Sequence, residues 1–163
     1  MSTLTPLIEA WDEAHREFAI AFGGLANEDL WTRAHPRLLS LGELAGHVAY
    51  WQAVWTTGGG NDNPDLSELP IQSPLIVPAF RYYTTTVDST VQVSLGTSEV
   101  LAEVARIHEA AKAIAEKYGK DDTYPGQWGT WGYFVQYQAF HVAYHTGQAY
   151  SVRHLMGHVT EDN

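Results

Sequence analysis

Apolar positions recur at three- and four-residue steps in four stretches of the chain, and each stretch closes on a glycine. That period puts one side of an α-helix against a core. The first stretch runs from about Thr5 to Gly23, with Leu7, Ile8, Trp11, Ala14, Phe18 and Phe22 on one face and Gly23-Gly24 as its stop. The second opens at Ser40, because Ser40 and Glu43 have the spacing of a capping box. It continues through Leu44, His47, Tyr50, Trp51 and Val54 to Gly58-Gly59-Gly60. The third, about Ser98 to Tyr118, carries Val100, Val104, Ile107, Ala111, Ile114 and Tyr118 on one stripe, with Glu and Lys opposite, and stops at Gly119. The fourth starts behind Thr130, a suitable N-cap, and reaches about Met156 before Gly157.

Between the second and third stretches, from Gly58 to about Gly96, Pro64, Pro70, Pro74 and Pro78 exclude a long helix. Loops between adjacent antiparallel helices run about two to eight residues, so nearly forty residues suit a crossover that returns the chain to the other end of a bundle. The pattern predicts an all-α four-helix bundle whose second and third helices are parallel neighbours. Within the crossover, VDSTVQVSL (87–95) has β-type residues and LIVPAFRYY (75–83) is apolar and aromatic. Part of it is expected to pack across a bundle end as a lid or a short extended segment. The turn-rich DDTYPGQWGTW links the third helix to the fourth.

At 163 residues, the chain is one domain by length, and 45% hydrophobic residues with six Trp, nine Tyr and five Phe supply its core. No run approaches a membrane span. The N-terminus MSTLTPLIEAWDEAH carries acids where a secretory signal has a basic flank, so a cytoplasmic location is the default expectation. Nine Lys plus Arg against nineteen Asp plus Glu give a formal charge of −10. That sign opposes phosphate neutralisation, which argues against nucleic acid and leaves a small molecule as the expected partner. The absence of cysteine removes disulfides, thiolate metal sites and a Cys nucleophile, leaving His and carboxylate as metal ligands.

The chemistry concentrates in FHVAYHTGQAY. Two imidazoles four residues apart on a helix, His141 and His145, lie about 40° apart in azimuth and about 6 Å apart along the axis, close enough to grip one ion. With eight histidines such a pair arises by chance about 0.4 times per chain, so context decides. Phe134, Gln138, His141, His145, Gln148 and Val152 share one face of the fourth helix, which groups the polar members near its middle. One reading is a pair of core histidines satisfied by backbone or Tyr hydroxyls. The other is a metal site, which wants three or four protein ligands, and His47 in the apolar-periodic second helix is the natural third.

His47 in a capped second helix, the long connection, and His141, His145, Gly147 and Gln148 in an H-x-x-x-H-x-G-Q string together resemble the DinB/YfiT-like family of metalloenzymes, across essentially the whole chain. The resemblance implies an up-down-down-up four-helix bundle in which His47, His141 and His145 bind a divalent ion, commonly zinc or nickel. Characterised members of the similar family are transferases or isomerases that use mycothiol, bacillithiol or glutathione. The function implied here is metal-activated attack of such a thiol on an electrophile, with Gln148 orienting a ligand from outside the coordination sphere. Homodimerisation is implied by the same likeness. Two alternatives stand beside it: a non-enzymatic metal- and ligand-binding module, and metal-assisted hydrolysis.

Other residues have two readings each. Glu43 is a capping residue or, one turn before His47, a fourth ligand or base. Tyr144 and Tyr50 are core aromatics or substrate donors. His108 is a partly exposed structural histidine or a further ligand, and His15, His35, His154 and His158 read as surface groups. Trp128 and Trp131 wall the site mouth or fill the bundle end.

Overall fold

A computed structural model of the chain describes residues 3–81 and 91–160. It is helical: α1 (Thr5–Ile20), α2 (Asn27–Leu30), α3 (Leu41–Thr57), α4 (Thr97–Ala115) and α5 (Trp131–Leu155), with single 3-10 turns at Leu66–Glu68 and Pro78–Phe80 and no strand among the described residues. The four long helices coincide with the four apolar-periodic stretches. The one-turn α2 is too short to carry a period, and the sequence pattern does not reveal it.

The caps act as their spacing requires. Ser40 Oγ accepts the Glu43 N–H at 3.2 Å, and the Glu43 carboxylate accepts the Ser40 N–H at 2.8 Å. Thr130 Oγ1 accepts the Tyr133 N–H at 3.2 Å at the head of α5. At α4, which begins one residue before Ser98, the Glu99 carboxylate accepts the Gly96 N–H at 2.8 Å. Asn27 Oδ1 from α2 accepts the Thr97 N–H at 2.8 Å, so the short helix caps a long one.

Trp11 and Phe18 of α1, Leu44, Val48 and Tyr50 of α3, Val100 and Ile107 of α4, and Phe134 and Val142 of α5 share one buried core. The most extensive helix pairings are α1 with α5 and α3 with α4; α3 also packs on α5. Every residue of α3 except Trp55 and Thr57 is buried, as befits a helix that is apolar nearly all round. Two interior glycines make this possible. A Cβ at Gly42 would come within 2.4 Å of the Trp31 ring, and one at Gly46 within 2.7 Å of the Phe80 ring. Trp31 lies directly on the backbone of α3 at the first point and the connection, through Phe80, at the second; Leu69, Ile71, Leu75, Ile76 and Phe80 of the connection are buried.

The stretch 75–81 therefore packs on the bundle as its apolar composition predicts. Tyr82, Tyr83 and 87–90, also part of that expectation, lie outside the described residues. Residues 91–95 form no strand; Val91 donates its N–H to Glu43 Oε1 at 3.0 Å instead. No helix among the described residues is long and apolar enough to cross a membrane.

Candidate metal centre

His47 of α3 meets His141 and His145 of α5 in the interior, and one ring nitrogen from each lies within 4.8 Å of the others. Their ring centroids are 5.4 Å (His47–His141), 4.8 Å (His47–His145) and 4.6 Å (His141–His145) apart, and all three side chains are buried. The two α5 imidazoles face each other through their Nε2 atoms at 3.1 Å. Tetrahedral nitrogen ligands about 2.0–2.1 Å from one ion stand about 3.3 Å from each other, so small side-chain adjustments close this set on a cation.

The remaining nitrogens explain the orientation. His47 Nδ1–H donates to the Phe80 carbonyl at 2.9 Å, which gives its Nε2 the lone pair. This contact depends on Gly46, because only a residue without a Cβ lets Phe80 sit so close to α3. On α5, His145 Nδ1–H donates to Gln148 Oε1 at 2.7 Å, and Gln148 Nε2 donates to the Tyr144 hydroxyl at 3.3 Å. His141 Nδ1 is buried with no hydrogen-bond partner among the described residues.

Burial holds all three imidazoles neutral. Desolvation lowers the pKa of His47, takes His141 down to about 2 with help from the neighbouring His145 and His47, and takes His145 down to about 4. Three neutral imidazoles, each turning one ring nitrogen to a common point, fit a borderline divalent ion such as zinc or nickel.

The triad forms the floor of a cavity of about 460 Å³ walled by Trp51, Trp55, Tyr137 and Phe140, with Arg81 and Tyr144 at its edge. Trp55 packs edge-on against His141 at 5.2 Å between centroids, and Trp128 packs on Tyr137 in a tilted pair at 4.1 Å. Phe140 and Tyr144 remain 58% and 54% exposed at the rim, so the floor is reached from outside past aromatic surface.

Glu43 does not join the triad. Arg33 donates to both of its oxygens at 2.8 and 2.5 Å, and Ser40 and Val91 donate their backbone N–H groups, so its lone pairs are committed to the head of α3. Those donors hold its pKa below the ordinary carboxylate value against the opposing effect of burial. Tyr50 is fully buried against Trp51 and belongs to the core. Trp131 fills the bundle end between Tyr118 and Tyr124, whereas Trp128 backs the cavity wall.

Two histidine expectations are corrected. His15 and His108 are both buried, stacked at 3.9 Å beside Trp11. His15 shares a 2.7 Å hydrogen bond with Gln52 Oε1, and His108 contacts Asp12 Oδ1 at 2.7 Å. Asp12, His108 and Glu109 also bring ligand atoms within 4.8 Å of one another, but Lys112 Nζ already occupies Asp12 Oδ1 at 3.1 Å. His35 and His154 are exposed, and His158 is half-buried beside Asp29.

Phe80, Trp55 and Arg81 escape a reading of motifs. A backbone carbonyl has no residue signature, and the available signals were a glycine inside a helix and an aromatic following Pro78.

A family model described as the DinB superfamily matches residues 10–149, and the chain belongs to that superfamily. No curated protein and no solved structure matches the chain significantly.

Proposed function

We propose that this DinB-superfamily chain is a metal-dependent transferase in which a small thiol attacks an electrophile beside His47, His141 and His145. The observation that carries this reading is the convergence of three neutral imidazoles on the floor of an open, apolar cavity. A divalent ion held there, zinc or nickel by the donor set, would supply the positive charge that brings a sulfhydryl pKa down toward neutrality. The thiol comes from outside, of the mycothiol, bacillithiol or glutathione type, because the chain has no cysteine. In the transfer the sulfhydryl proton passes to solvent, the sulfur forms a bond to the electrophilic carbon, and the leaving group departs with the pair of the bond it breaks.

The chain's own part is binding and orientation. Phe80 and Gln148 fix the ring planes of His47 and His145 through their Nδ1–H groups. Trp51, Trp55, Tyr137 and Phe140 exclude water and favour an apolar or aromatic electrophile. The Tyr144 hydroxyl at the rim is in place to donate to it. Hydrolysis is the weaker reading, since Glu43, its carboxylate candidate for a base, is fully engaged with Arg33.

An up-down-down-up course of α1, α3, α4 and α5 accords with contacts at the helix ends. Thr3 Oγ1 accepts the Lys120 N–H shortly after α4, and Arg153 late in α5 donates to the carbonyls of Ala21 and Gly23 beyond α1. Trp31, seated over Gly42 at the head of α3, donates to Leu95 just before α4. The long crossover serves such a course.

Elemental analysis of the purified protein beside His145→Ala, followed by a screen of thiols against a chromogenic electrophile, tests the proposal. It expects about one equivalent of divalent metal in the wild type, loss of that metal with retained helical circular dichroism in the variant, and turnover only with a thiol present. Metal without thiol-dependent turnover would overturn the transferase and leave a binding module.

A further inference from the structure

Two of the three imidazoles have an acceptor for the nitrogen facing away from the triad: the Phe80 carbonyl for His47 and Gln148 Oε1 for His145. His141 has none among the described residues. Its Nδ1 is buried and without a hydrogen-bond partner among them, while its Nε2 faces His145 Nε2 at 3.1 Å. Because His145 carries its proton on Nδ1, that contact requires the His141 proton to sit on Nε2. Holding a cation reverses the tautomer, since Nε2 must then offer its lone pair and the proton must move to Nδ1. A buried N–H is created where no acceptor yet stands.

One turn earlier on the same face of α5 is Gln138. It is completely buried, and neither Oε1 nor Nε2 has a hydrogen-bond partner among the described residues. A fully buried amide with both ends unsatisfied is costly and rare, and a purely structural role would favour Leu or Met at this site. Side chains on a helix lean toward its N-terminus, so the His141 ring inclines over the turn that carries Gln138, and residues three apart have Cβ atoms about 5–6 Å from each other.

The geometry points to Gln138 as the positioning residue for His141: its Oε1 accepts the Nδ1–H that appears when the triad closes on a divalent ion, directly or across one bound water. This rests on the proposed metal site and assigns the third outer contact of the set. Gln138 touches neither the ion nor the substrate. It selects the ligating tautomer of His141 and is otherwise a burden on the metal-free protein.

The test is competitive zinc titration with a chromophoric chelator, together with thermal unfolding of the metal-free protein, for the wild type, Gln138→Leu and Gln138→Met. Affinity is expected to fall about 10- to 100-fold in both variants with stoichiometry still one, while the metal-free Tm rises because an unsatisfied amide has gone. In zinc-loaded wild type, the His141 Nδ1–H resonance is expected downfield by NMR, and in the variants it is expected to move upfield. Unchanged affinity in whichever variants fold, or a metal-free Tm that falls in both, overturns the role of Gln138 and leaves the triad standing. Wild type that binds no zinc, or binds it equally after His145→Ala, overturns the metal site itself.

Discussion

Gly46→Ala tests how the connection governs the candidate site. A Cβ at this position would lie 2.7 Å from Phe80 ring carbons, against an ordinary carbon contact of about 3.5–4.0 Å, so Phe80 must retreat by about 1 Å. The His47–Phe80 hydrogen bond is 2.9 Å long, and a retreat of that size carries it beyond hydrogen-bonding range. Replacing glycine by alanine inside a helix gains about 1 kcal/mol of propensity, while overpacking costs about 1–3 kcal/mol and the lost hydrogen bond about 1 kcal/mol. Net destabilisation of about 1–3 kcal/mol follows, with a fall in divalent-metal affinity of about 10- to 100-fold as His47 loses its orienting acceptor. Urea unfolding and competitive metal titration of the same samples measure both effects. Unchanged affinity together with raised stability would refute the coupling of Gly46, Phe80 and His47.

Other consequences are equally measurable. Burial takes the His15 pKa down to about 3, so the unfolded chain, with an ordinary value near 6.5, binds the proton first. Stability is then full above pH 6.5 and is lost as pH falls toward 3. Between pH 7 and pH 5, His15 alone removes about 2 kcal/mol, and the buried metal ligands act in the same direction; urea unfolding of metal-free protein at the two pH values that gave equal stabilities would contradict neutral buried imidazoles. Arg33→Met leaves the buried Glu43 carboxylate without its counter-charge and should cost about 3–5 kcal/mol, read as a lower urea midpoint at pH 7. Much of that loss should be recovered in Arg33→Met/Glu43→Gln, and a single variant as stable as wild type would show the pair to be solvated.

The long helices were legible because each carries an amphipathic period, a cap and a glycine stop, as at Ser40, Glu43 and Gly58 for α3. His141 and His145 were legible as a pair because helical spacing is local. Their meeting with His47 depends on how α3 packs against α5, which no local pattern encodes. The short α2 had no periodicity to display, yet Asn27 caps α4 from it. His15 and His108 read as outlying groups because each follows the edge of an apolar stripe, and their burial comes from stacking on each other across α1 and α4. Phe80 acts through its carbonyl, so the signal lay in its neighbour, a glycine where a helix would ordinarily prefer alanine.

X-ray absorption of the protein loaded with one equivalent of zinc or nickel addresses the shared cation most directly. Three imidazole nitrogens in the first shell, at about 2.0–2.1 Å for zinc, with one removed in each of His47→Ala, His141→Ala and His145→Ala, is the predicted result. A shell of oxygens alone, or a spectrum unchanged by all three substitutions, would contradict it.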